Sequence, residues 1–134
     1  MIHVGEQLRP FLERKIGRTL TPHAQFVANQ VGMRWWIVAL DAYRAGCSVE
    51  LHSAGDRGAL SRKFIRYIAE LVWTKLDVQR ITGLVRADNA DALETNDRLG
   101  FVREGVMRKA LDGQDIVIFG MLRDECRWLP REKG

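Results

Sequence analysis

The sequence is poor in the residues that build metal sites and covalent staples. Its 134 residues include two cysteines and three histidines. Cys47 and Cys126 stand far apart and match no metal-ligand spacing, so two reduced thiols are expected. His3, His23 and His52 form no H-x-x-x-H pair, and no metal is expected. No apolar run approaches the length of a membrane span, and the first residues lack the profile of a signal peptide. A cytoplasmic protein without membrane contact is the expectation. Internal repeats, low-complexity stretches and linkers are missing too, so residues 1–134 read as a single domain.

The composition, 46% hydrophobic and 28% charged, is that of a globular chain able to bury a core without staples. The formal charge is +4 and the pI about 9.4, which suits an anionic ligand. Nucleic acid is not the expected partner. Trp35 and Trp36 lie inside an apolar run and make poor stacking platforms.

The periodicity orders the chain. In residues 6–16, Leu8, Phe11, Leu12 and Ile16 share one helical face, Gly17 is a natural stop, and Pro10 belongs to the first turn. Residues 24–29 read as a short, weak strand and 30–32 as a turn. Residues 33–40 (MRWWIVAL) read as a strand covered on both faces. After a turn at Ala45 and Gly46, residues 47–53 alternate. Val49 and Leu51 fall on one face, and Ser48, Glu50 and His52 on the other.

Residues 61–75 are the strongest helix, with an apolar stripe through Phe64, Ile65, Ile68, Leu71 and Val72 and Ser61 as N-cap. Residues 80–87 form another strand. Strand, helix and strand require a crossover and a parallel pair. Asn89 opens a turn into a short helix, 92–99, stopped by Gly100. Residues 101–111 and 114–122 form a hairpin across Asp112-Gly113, a type I′ signal. Residues 123–134 read as a tail, with Trp128 and Leu129 placed to pack back and Lys133 and Gly134 fraying. The fold class is α/β: a mixed, mostly antiparallel sheet with helices on both faces.

The candidate site is the turn 55–63 (GDRGALSRK) and the helix it feeds. That helix opens with Arg62, Lys63 and Arg66. Cations at a helix N-terminus oppose the macrodipole, so helix stability does not explain them. A docked anion does, because the free backbone N–H groups there already favour one.

From residue 81 the chain reads ITGLVRADN, later RLGFVREGVMR, and then DGQDIVIFGML. The combination of Asn89, Leu99-Gly100-Phe101, Glu104-Gly105 and Asp115 over residues 48–125 resembles the GNAT acyltransferases. Within them it is most similar to the branch of the ribosomal-protein N-terminal acetyltransferases. The resemblance implies acetyl-CoA as donor and a small-molecule or peptide amine as acceptor. It implies a central strand that splits from its neighbour, with the open backbone of 50–53, including Leu51 and Ser53, binding pantetheine. It further implies that Arg57, Gly58, Ala59, Leu60, Ser61, Arg62 and Lys63 cradle the pyrophosphate. Asn89 is expected to bond the pantetheine or to order the strand-to-helix turn.

Three departures qualify the likeness. Leu60 and Arg62 stand where the family loop has small residues, so side chains of Arg57, Ser61, Arg62 and Lys63 are expected to supplement the backbone. Asn96 stands where many members have the Tyr that protonates the leaving thiolate. The helices that usually wall the acceptor are reduced to one, leaving the site open or completed by a second subunit, as in a homodimer. Glu50 and His52 share a strand face beside the expected thioester, and either is a candidate base. The plainer readings are a Glu50–Arg ion pair and a satisfied, half-buried His52. A CoA-binding module without catalysis is the alternative function.

Overall fold

A computed structural model describes residues 1–129. The expected fraying at Lys133 and Gly134 lies outside the described residues. Seven strands form one sheet: β1 (Ile2–Val4), β2 (Gln25–Val31), β3 (Arg34–Arg44), β4 (Ser48–Gly55), β5 (Arg80–Arg86), β6 (Val102–Leu111) and β7 (Gln114–Leu122). Their spatial order is β1-β2-β3-β4-β5-β7-β6. The β4–β5 pair is parallel and the other pairs are antiparallel. The α-helices are α1 (Arg9–Ile16), α2 (Arg62–Glu70) and α3 (Ala90–Leu99). This is the expected mixed α/β architecture.

Alternation along β3 divides the core in two. Trp36, Val38 and Leu40 join Val49, Ile81 and Met121 beneath Phe64, Ile68 and Trp73 of the α2 segment. Ile37 and Ala39 join Phe26 and Ala28 beneath Leu8 and Leu12 of the α1 segment. Helix α3 lies on the α2 face, above Gly83 of β5. A Cβ at Gly83 would stand 3.3 Å from Asn96 Nδ2 and 3.4 Å from Phe119 Cβ, so this glycine lets α3 approach the sheet. Trp128 does pack back: its Nε1–H donates to the Leu99 carbonyl at 2.9 Å.

Several boundaries differ from the sequence expectation. Ile2–Val4 pairs with β2 (Ile2↔Asn29, Val4↔Val27), and three residues are too few to show a period. β2 continues through Val31, where a turn over 30–32 was expected. Gly32, at φ 61°, supplies the left-handed residue, and the turn closes on Gly32 and Met33. β3 runs past Leu40 to Arg44. It keeps pairing through a register shift between Asp41 and Arg44, with Ala42 at φ 50°. The central helix keeps its expected extent, but α2 gives way to a π-helical segment, Leu71–Lys75. A 3₁₀ turn, Glu6–Leu8, precedes α1, whose left-handed cap is Gly17.

Candidate active site

The site follows from strand pairing. β4 and β5 are partners over three positions: Ser48↔Arg80, Val49↔Ile81 and Glu50↔Thr82. Beyond them β4 stays with β3 as far as Gly55↔Trp36, and β5 stays with β7 as far as Arg86↔Ile116. Each strand is held by its outer neighbour, so the two diverge. The gap is a cleft of about 430 Å³, lined from β4 by Leu51, His52 and Ser53 and from β5 by Leu84 and Val85. The end of α1 and the start of α3 close its two sides. Along this gap the β4 edge has no strand partner among the described residues, so its peptide groups are open to a ligand.

Glu50 and His52 come together on the α1 face. His52 is almost fully buried, with 4% of its surface exposed, yet it lines the cleft. His52 Nε2 lies 3.1 Å from Glu50 Oε1. The hydrogen bond from His52 is the chief influence holding the Glu50 carboxyl below its ordinary range, against a smaller opposing effect of burial. Across the ladder from Glu50 stands Asp41, also buried. Its oxygens accept from the Thr21 hydroxyl, from Thr21 N at 2.9 Å and from Ala42 N at 2.8 Å. Burial would raise the Asp41 carboxyl, but these bonds outweigh it and hold the group low.

The turn after β4 starts at the cleft: Gly55, Asp56 and Arg57 line it, and residues 58–63 lie beyond its lining. Gly55 sits at φ 147° against β3: a Cβ there would collide with the Trp35 carbonyl and stand 2.8 Å from Trp36 Cα. Asp56 locks the turn to the same strand, accepting from Trp35 N at 3.1 Å and donating its own N–H to the Trp35 carbonyl at 2.7 Å. A short 3₁₀ turn, Arg57–Ala59, follows. Ala59 is buried, and its carbonyl accepts from Asn29 Nδ2 at 2.9 Å. Leu60 packs on the α2-side core. Ser61 caps α2, accepting from Phe64 N at 3.1 Å. The remaining first-turn amides have no intrahelical acceptor. Arg62 and Lys63 are exposed in that turn and form no ion pair among the described residues.

Not every predicted side chain faces the same space. Arg57 reaches across to α3, donating to Glu94 Oε2 at 3.3 Å and to the Asp91 carbonyl at 3.4 Å. Asn89 caps α3, accepting from Ala92 N at 3.1 Å, and also lines the cleft. Asn96 lines it from the next turn of α3. Glu50 does not line the cleft; it reaches it through His52. Sequence reasoning missed Arg34, whose side chain rests on Gly58: a Cβ at Gly58 would stand 2.8 Å from Arg34 Cδ. It also missed Lys15, Arg18 and Arg86, which line the cleft. No local motif marks these residues; sheet pairing and the packing of α1 bring them there. Among the described residues, no three His, Cys, Asp or Glu side chains cluster as metal ligands would. No helix of the described residues is long and apolar enough to cross a membrane.

No family model matches this sequence, and no curated protein does. Solved structures do match. A mutant form of spermidine N-acetyltransferase SpeG from Vibrio cholerae superposes with a TM-score of 0.70 at 14% identity, over 92% of this chain and 94% of that one. A dodecameric structure of that enzyme gives 0.69 at 15%, over 92% and 94%. A candidate acetyltransferase of T. thermophilus gives 0.67 at 25%, over 88% of this chain and 67% of that one. The chain therefore has the fold of the GNAT acyl-CoA N-acyltransferases. These neighbours do not single out the ribosomal-protein branch.

Proposed function

We propose that this chain is an N-acetyltransferase that moves an acetyl group from acetyl-CoA to a primary amine by direct attack. The observation that carries the proposal is the parting of β4 from β5 after Glu50, which opens one cleft between an unpaired strand edge and a buried histidine. The donor supplies the acetyl group as a thioester. The open backbone at Leu51 and Ser53 would hold the pantetheine arm, with Asn89 at its side. The phosphates would rest at the start of α2, where free amides meet Arg62 and Lys63 beside the turn Gly58-Ala59-Leu60-Ser61. Arg34 adds a cation over Gly58. Arg57 can join only by leaving Asp91 and Glu94.

In this reading His52 takes the proton from the attacking amine. Its Nε2–H donates to Glu50, which leaves Nδ1 with the lone pair a base requires. Glu50 is then a positioning residue: it fixes the tautomer and stabilises the charged ring that forms. The new N–C bond forms as the C–S bond breaks. Asn96 can donate a hydrogen bond to the departing sulfur, but an amide does not surrender its proton, so water protonates the thiolate. The edge strand β6 exposes Val102, Val106 and Met107, a surface on which a homodimer would form; sedimentation at several concentrations tests that part.

The test of the main reading is release of free thiol from acetyl-CoA in the presence of an amine panel. Amine-dependent release that falls at least about a hundredfold in His52→Gln supports it. Binding of CoA without turnover on any amine would instead support a CoA-binding module, the reading that Asn96 in place of a protonating Tyr favours.

A further inference from the structure

We infer that the acceptor is a small amine that also carries an anionic group, a carboxylate or a phosphate, held by Lys15 and Arg18. This rests on the acetyl-transfer reading of the cleft and narrows it to one substrate class. Lys15 lies in the last turn of α1 and Arg18 follows its cap at Gly17, and both line the cleft on the His52 side. Among the described residues neither side chain forms an ion pair. Arg86 stands beside them, its Nη1 placed 3.1 Å from where a Cβ of Gly17 would be.

The carboxylates on this side are all engaged. Glu50 bonds His52, and Asp41 accepts from Thr21 and Ala42. Glu13 accepts from Leu20 N at 2.7 Å and pairs with Arg9. Asp88 accepts from Arg86 at 3.1 and 3.2 Å. A polycation such as spermidine would thus meet, beside His52, two cations without an ion-pair partner; the other carboxylates lining the cleft lie at the turn after β4 and at the start of α3, where Asp56 accepts from Trp35 N and Asp91 pairs with Arg57. Like charges at such a site repel, and opposite charge is what selects a partner. An amine with one anionic group meets the reverse situation: the anion faces Lys15 and Arg18, and the amino group is left to His52.

The donor's phosphates do not account for these two cations. The phosphate turn and the start of α2 lie on the opposite sheet face, served by Arg34, Arg62 and Lys63. The helix dipole gives Lys15 a partial role, since a cation favours a helix C-terminus. That role affects stability and has no bearing on which amine reacts. The cleft, at about 430 Å³, must also hold the thioester end of the donor, which leaves room for a small molecule.

Matched amines test the inference. β-Alanine against propylamine isolates the carboxylate, and O-phosphoethanolamine against ethanolamine isolates the phosphate; spermidine is the polycation. Each is titrated calorimetrically into CoA-saturated protein and assayed for thiol release with acetyl-CoA. The anionic member of at least one pair should bind and react about tenfold or more better than its neutral partner, with spermidine the poorest. K15E with R18E should abolish or invert the preference while acetyl-CoA affinity stays unchanged. Lys15→Met with Arg18→Gln provides the same comparison should the charge reversal not fold. Equal handling of propylamine and β-alanine, and of ethanolamine and O-phosphoethanolamine, overturns the inference. So does a preference that survives both double variants. Failure of acetyl-CoA to bind overturns the acetyl-transfer reading and this inference with it. Binding without turnover leaves the anion preference to be decided by the titrations.

Discussion

The cleft has two walls made in different ways. On the α2 side it is bounded by strand edge, turn backbone and a helix cap: the free side of β4, the turn residues Gly55, Asp56 and Arg57, and the cap of α3 at Asn89. On the α1 side it is bounded by side chains from separate elements: His52 from β4, Lys15 and Arg18 from α1 and its cap, and Arg86 from β5. A wall of backbone reads the features every acyl-CoA shares, because amides and carbonyls do not change with sequence. A wall of side chains can be rewritten one residue at a time. The first suits an invariant donor and the second a variable acceptor.

The comparison breaks most readily at His52. Its replacement by Gln should reduce turnover by about two to four orders of magnitude and leave acetyl-CoA affinity within about twofold, since the proposed donor contacts do not use the imidazole. Steady-state kinetics alongside calorimetry checks both halves. Equal loss in both would mean that the two walls are one structural unit.

Gly55 joins the walls to the sheet. Gly55→Ala places a Cβ against the backbone of Trp35 and Trp36, and backbone cannot swing aside as a flexible side chain can. A destabilisation of about 3 kcal/mol or more is expected, read as a lower urea midpoint. Among the proposed donor contacts, Arg62→Ala should weaken acetyl-CoA binding by about 1.5–3 kcal/mol, a loss of roughly ten- to a hundredfold. Arg57→Ala should cost less, because Arg57 must first give up Asp91 and Glu94. An Arg57 effect larger than that of Arg62 would move the phosphates toward α3.

Ser61→Ala removes the α2 cap and should cost about 1 kcal/mol of stability. The smallest effect is with pH. Asp41 and Glu50 are both held below their ordinary values of 3.8 and 4.5 in the folded chain. The native state therefore binds fewer protons than the unfolded state in that window. The stability they contribute is present in full above those ordinary values and is lost as pH falls through the lowered ones. D41N should flatten this acid limb in denaturation curves taken between about pH 5 and 3.

The turn and helix start on the α2 side were legible in the sequence because their signals are local. The polar turn 55–63, the N-cap at Ser61 and the cations Arg62, Lys63 and Arg66 all fall within residues 55–66. Strand alternation put Glu50 and His52 on one face, where the structure bonds them to each other. The side-chain wall on the α1 side was not legible. Lys15 and Arg18 lie more than thirty positions from His52, and α1 showed only its apolar stripe. Arg34 was hidden in a run dominated by Trp35 and Trp36. β1 was missed because three residues carry no period, and β2 was cut short because Gln30 and Val31 were assigned to the turn at Gly32. What failed was in each case a contact distant in sequence or a boundary; the order of the major elements held.

The most direct measurement is a calorimetric titration of the protein with acetyl-CoA, with dephospho-CoA and ATP as controls. One micromolar site for acetyl-CoA, weakened by Arg62→Ala and unaffected by His52→Gln, is the expected result. Absence of acetyl-CoA binding to the folded wild-type chain would contradict the account, since the open β4 edge and the α2 terminus would then have no ligand to serve.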